Sequence, residues 1–159
     1  MPKNTIKTDT KSIDIQARKK ALDLLARREH ATKEIRDKLV DKGIAPQLAD
    51  ETLEKLAAEG LLSDRRFVEA FLEVRKNRGY GPLRIQAELK QRGIDDELIA
   101  DFIDPGDRQW SDSIRDAWRK RFGDHLPTDL KERARQSRFL HYRGFTGEQI
   151  SRLFKHEDY

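Results

Sequence analysis

The hexapeptide Leu39-Val-Asp-Lys-Gly43-Ile44 returns as Leu89-Lys-Gln-Arg-Gly93-Ile94 and again as Leu140-His-Tyr-Arg-Gly144-Phe145, at offsets of 50 and 51 residues. Apolar positions downstream repeat in step. Ala49, Thr52 and Leu53 correspond to Ile99, Phe102 and Ile103, then to Ile150, Leu153 and Phe154. Three copies at a near-constant period make the chain an array of similar units rather than one large core. Composition agrees. Of the 159 residues 39% are charged and 36% hydrophobic, so each unit buries few side chains and depends on its neighbours.

Each unit reads as three helices. In the middle one, Ser63 caps a helix over about 64–77, with Phe67, Phe71 and Val74 on its inner face. Gly79 suits the left-handed position after that helix, and Pro82 the first turn of the next, where a missing N–H leaves nothing unpaired. Ile85 and Leu89 face inward, Gly93 stops the helix, and Asp95 caps a short third one. The first unit reads as about 15–29, 32–42 and 46–59, with Thr32 as a cap, Pro46 in a first turn and Gly60 as a stop. The third reads as about 108–122, 129–143 and 147–156, with Trp110, Ile114 and Trp118 facing inward and Thr146-x-x-Gln149 as a capping box. The fold class expected is all-α: three tandem three-helix repeats in an elongated, curved array. A disordered arm is expected over 1–14, and repeats over 15–62, 63–106 and 107–159.

Thirty-three basic residues against 29 acidic ones give a net charge of only +4, but the charges are sorted along the chain. Residues 1–40, 65–92 and 108–143 each carry +5, while 41–60 carries −3 and 93–107 carries −6. Basic stripes on helices attract phosphates through counterion release. They also serve as solvated faces laced with internal ion pairs. The acidic blocks would repel a duplex wrapped around the whole chain, so contact with nucleic acid should be partial.

Residues 61–94 carry Ser63-Asp64-x-Arg66-Phe67, Phe71, Arg75, Gly79-x-Gly81-Pro82-x-Arg84-Ile85, Glu88-Leu89 and Gly93-Ile94. With Arg138-Phe139-Leu140-x-x-Arg143-Gly144-Phe145, this pattern resembles the RecX family of RecA regulators over about 17–156. The resemblance implies three tandem three-helix repeats and a regulator, usually an inhibitor, of the RecA–single-stranded DNA filament. It implies reduced ATPase, strand exchange and coprotease activity, and so a role in recombination, DNA repair and the SOS response. The expected partners are the RecA filament and single-stranded DNA, with double-stranded DNA left open. A cytoplasmic monomer without a membrane partner is expected. An autonomous DNA-binding protein of helix-turn-helix type is the alternative.

The candidates for contact with RecA or DNA are Arg66, Arg75, Lys76, Arg78, Tyr80, Arg84, Arg92, Arg119, Lys120, Arg121, Arg135, Arg138, Tyr142 and Arg143. For Arg75 and Arg84 the other reading is an internal ion pair to Glu88 or a helix end. Tyr80 and Tyr142 could stack on a base or pack on a neighbouring helix. Gly43, Gly79, Gly81, Pro82, Gly93 and Gly144 are assigned to turns and helix stops. Gly79-Tyr80-Gly81-Pro82 lacks the Gly-Lys-Ser/Thr ending of a phosphate loop and follows a helix rather than a strand. With no Cys and no His in a metal-ligand pattern, no metal, cofactor or enzyme activity is expected. No apolar run exceeds three residues, too short to span a membrane.

Overall fold

The computed structural model describes residues 3–156, with side chains over 10–155. The described residues form nine helices and no strand: α1 Lys3–Leu25, α2 Thr32–Asp41, α3 Pro46–Ala58, α4 Asp64–Asn77, α5 Pro82–Gln91, α6 Asp96–Phe102, α7 Trp110–Phe122, α8 Leu130–Arg143 and α9 Gly147–His156. This is the all-α, three-by-three order that the repeat predicts. The helix that begins at Lys3 departs from the disordered arm expected over 1–14. No Gly or Pro interrupts Lys3 to Ile13, and once a helix is nucleated further residues add without a second nucleation penalty.

The chain forms two compact units. The first comprises residues up to 68 together with 92–94; the second comprises 69–91 and 95 onward. Their boundaries do not coincide with those of the repeats, because the middle repeat gives residues to both.

In the first unit α1, α2 and α3 pack on one another around Ala17, Ala21, Ile35, Leu39, Ile44, Leu53 and Leu56. Each Leu or Ile so buried contributes roughly 1.5–3 kcal/mol of hydrophobic stabilisation. Pro46 occupies the first turn of α3. Thr32, expected to cap α2, instead lies inside its first turn. There its backbone N–H and its hydroxyl both donate to Asp64 Oδ1, at 2.7 and 3.0 Å. The cap of α2 is thus a carboxylate 32 residues away. Ser63 behaves as expected: its Oγ accepts from the Arg66 N–H at 3.2 Å, capping α4.

In the second unit α7 packs on both α8 and α9. Trp110, Ile114, Trp118, Leu140, Phe145, Ile150, Leu153 and Phe154 are buried. The capping box closes as predicted. Gln149 Oε1 accepts from the Thr146 N–H at 2.9 Å, and Thr146 Oγ1 accepts from the Gln149 N–H at 3.1 Å. The inner face assigned to α4 is narrower than expected, since Phe71 is only partly buried and Val74 is 49% exposed. Asp95 sits at the N-cap of α6 but makes no side-chain cap hydrogen bond. Asp96 and Glu97 in the first turn supply favourable charge there instead.

The repeat is physical as well as textual. Leu39, Leu89 and Leu140 are all buried, as are Ile44, Ile94 and Phe145. The glycine between each pair has positive φ: +92° at Gly43, +80° at Gly93 and +101° at Gly144. A left-handed residue there lets the next N–H turn back onto the helix, as Ile44 does to the Leu39 carbonyl at 3.0 Å and Phe145 to that of Leu140 at 3.1 Å.

His30 is buried in the first unit, its Nδ1 3.0 Å from the Arg28 carbonyl oxygen. Burial lowers its pKa below the ordinary 6.5, and the hydrogen bond to Arg28 offsets only part of that. The folded chain therefore resists protonating His30 while the unfolded chain accepts the proton. The stabilisation is complete above about pH 6.5 and is lost as pH falls through the lower folded value. Urea midpoints measured at about pH 7.5 and about pH 5.5 should show this loss, and His30→Phe should reduce the difference between them. An equal difference in the variant would assign the acid sensitivity to other groups.

Candidate nucleic-acid interface

The family-like motif residues fall into two side-chain networks, one in each unit. In the first unit Arg66 Nε donates to Glu29 Oε1 and its Nη2 to the Gly60 carbonyl, both at 2.9 Å. Arg92 pairs with Glu34 at 3.1 Å and lies 5.9 Å from the centre of the Phe67 ring. Arg28 reaches the same carboxylate at 3.0 Å. Burial acts to raise the Glu34 pKa, but hydrogen bonds from Arg28 and the Ala31 N–H win and hold it below the ordinary carboxylate range. Arg66 and Arg92 therefore serve as internal braces of this unit.

In the second unit the turn 79–83 lies against the turn 143–145. The Gly81 N–H donates to the Arg143 carbonyl at 2.7 Å and the Leu83 N–H to the Gly144 carbonyl at 2.9 Å. A Cβ on Gly81 would come within 2.6 Å of Gly144 C, and one on Gly144 within 2.6 Å of the Arg84 nitrogen. Only glycines permit this approach. The N–H groups that a phosphate loop would aim at an anion are spent on these main-chain bonds.

Two arginines cross over this contact in opposite directions. Arg84 Nη1 donates to the Tyr142 carbonyl at 3.3 Å, and Arg143 Nη1 donates to the Arg78 carbonyl at 3.1 Å. Arg84 also donates to Glu88 Oε1 at 3.2 Å. Glu88 Oε2 is buried 2.9 Å from Arg75 Nε, an ion pair without hydrogen-bond alignment. The internal reading of Arg75 and Arg84 is thus realised for both, and Arg84 reaches Glu88 and a helix end at once.

Aromatic rings fill the spaces between these cations. The Tyr80 ring centre lies 5.4 Å from the Arg75 guanidinium, 4.4 Å from that of Arg84 and 4.8 Å from that of Arg143. Arg84 also lies over Tyr142 at 4.9 Å. Arg143 continues to Phe139 at 5.1 Å. Phe139 meets Phe122 edge to face at 5.3 Å, with Arg121 over both and Arg135 over Phe122. An unbroken run of alternating guanidinium groups and rings therefore extends from Arg135 to Tyr142. Such contacts are worth about 0.5–1 kcal/mol each at exposed sites.

Along α8, Lys131, Arg135, Arg138 and Tyr142 fall at i, i+4, i+7 and i+11, and all four are exposed. Arg135 is matched by Glu132, to which it donates at 3.0 and 2.9 Å. Hydrogen bonds from Arg135 and Gln136 hold the Glu132 pKa below the ordinary carboxylate range. Arg119 is matched by Asp124 at 3.0 Å. Lys120 and Arg121 are exposed beside it. Lys76 donates to Gln109 at 3.1 Å and lies 5.0 Å from the centre of Trp110. Arg78 is exposed. Among the described residues no cluster of His, Asp or Glu is set to hold a metal ion, and no helix is long and apolar enough to cross a membrane.

Three residues outside the candidate set belong to this region, two of them aromatic and one a buried amide. Phe122 and Phe139 form its aromatic floor, and Phe139 does sit within the recognisable motif. Gln136 gave no signal. It is a buried amide on a basic helix, accepting from Trp118 Nε1 at 2.8 Å and donating to the His125 carbonyl at 3.0 Å.

Comparison with known proteins gives this arrangement a family. Models of the first, second and third three-helix domains of RecX match residues 17–56, 63–102 and 107–154. The chain belongs to the RecX family. It is similar to a regulatory protein RecX of Pseudomonas tolaasii, 44% identical over 144 residues, covering 91% of this chain and 93% of that one. A regulatory protein RecX of Pseudomonas putida is 42% identical over 144 residues, covering 91% and 92%. Among solved structures, RecX from Lactobacillus salivarius has a TM-score of 0.76 at 20% identity, covering 92% of this chain and 97% of that one. A second RecX crystal structure has a TM-score of 0.77 at 19% identity, covering 98% and 78%. These last two establish the shared RecX fold. Both Pseudomonas relatives are named regulatory proteins, which supports a regulatory role.

Proposed function

We propose that this RecX-family chain binds the RecA–single-stranded DNA filament and limits its ATPase, strand exchange and coprotease activities. It would thereby restrain recombination, DNA repair and the SOS response. The observation that carries this reading is the Arg–aromatic surface of the second unit, built on the residues by which the family resemblance is recognised. Guanidinium groups held in place by rings and carbonyls form a preorganised cationic surface, suited to a partner made of protein and nucleic acid. In this reading the protein works in the cytoplasm as a monomer, without cofactor or chemistry of its own.

DNA-stimulated ATP hydrolysis by RecA tests it. The rate should fall as the protein is titrated onto filaments already formed on single-stranded DNA. Tight DNA binding with an unchanged rate would leave an autonomous DNA-binding protein of helix-turn-helix type as the better account.

A further inference from the structure

The geometry assigns to Tyr142 a stacking site for one unpaired nucleobase, which would make the second unit prefer single strands to duplex. This inference rests on the reading of that surface as one that meets nucleic acid. The two tyrosines of the surface differ in what they offer. Tyr80 is partly buried beneath three guanidinium groups. Tyr142 is 73% exposed. Arg84 lies over its ring at 4.9 Å, and the rest of the side chain is largely open to solvent.

The cation against the ring is also held. The Arg84 beneath it is fixed by Glu88, by Tyr80 and by the Tyr142 carbonyl itself. A platform that is already ordered loses little further conformational freedom when a base lands on it. One turn earlier on α8 stands the exposed Arg138, placed to meet the backbone phosphate of the same strand. Glu88 is already engaged by Arg75 and Arg84, and Glu132 by Arg135. In a duplex each base is stacked and paired, so no base face reaches the tyrosine. In a single strand any base can, without regard to sequence.

The test is fluorescence anisotropy of the full chain with three labelled probes at one salt concentration: a short oligothymidylate, an abasic strand of the same length, and a duplex. Tyr142→Ala should weaken oligothymidylate binding about tenfold and leave the abasic strand and duplex unchanged. Tyr142→Phe should bind as the wild type does. The slope of log affinity against log salt should be the same in all three proteins, since no charge is removed. Wild-type affinity for oligothymidylate in Tyr142→Ala overturns the proposal. So does an equal loss on all three probes, which would mark Tyr142 as a support for Arg84. Base-dependent binding lost in Tyr142→Ala, alongside an unchanged RecA ATPase, would uphold the stacking site while the RecA reading failed.

Discussion

Gly144→Ala is expected to destabilise the second unit by about 2–5 kcal/mol. Two physical terms combine. The backbone at φ +101° disfavours any L side chain, by roughly 1–2 kcal/mol. The new Cβ would also meet the Arg84 backbone, with its nitrogen 2.6 Å away, and overpacking of this kind costs about 1–3 kcal/mol. Two companion variants separate the terms. Gly43→Ala has a similar φ, +92°, with nothing within 4 Å, so it should lose about 1–2 kcal/mol through strain alone. Gly81→Ala has no positive φ but would meet Gly144 C at 2.6 Å, so it should lose about 1–3 kcal/mol through crowding alone. Urea denaturation followed by tryptophan fluorescence reads the second unit, because Trp110 and Trp118 both lie in it. Circular dichroism reads Gly43→Ala. A Gly144→Ala protein no less stable than Gly43→Ala would mean that the two turns do not press together as described.

The second large effect concerns charge. Replacing Lys120, Lys131 and Arg138 together with glutamine should lower the slope of log affinity against log salt by about 2, which is about a hundredfold in single-strand affinity near 0.1 M salt. All three are exposed and none pairs with a carboxylate among the described residues. Arg119 and Arg135 are the contrast, since Asp124 and Glu132 already balance them. Replacing that pair should change the slope far less. An equal change from both sets would show that ion pairing on this surface does not decide which cations bind.

Much of the fold was legible in the sequence because it depends on local rules. A glycine after a leucine-bearing helix, a proline in a first turn and the Thr146–Gln149 box act within a few residues, and periodicity exposes them. What escaped detection acts over distance. Asp64 caps a helix 32 residues earlier, so Thr32 looked like the cap. Val74 lies on the apolar stripe of α4, yet 49% of it remains exposed. In the interface the residue types were legible, but their division of labour was not. Arg75, Arg84, Tyr80 and Tyr142 all fit two roles until the Gly81–Gly144 approach brings their helices together. That approach engages three of them internally and leaves Tyr142 largely open to solvent.

The order in which the chain is synthesised bears on the first unit. Its packing includes residues 92–94: Arg92 pairs with Glu34, and Gly93 lies against the Lys33 side chain so closely that a Cβ would meet its Cδ at 2.6 Å. A chain emerging from the ribosome N-terminus first can form α1, α2 and α3 early. The Thr32 N–H of α2 has no Asp64 acceptor until that residue is made, and the unit does not close until residue 94 has followed. By then residues 69–91, which belong to the other unit, are already outside. The first unit is therefore completed only after assembly of the second can have begun, which ties the folding of the two together in time.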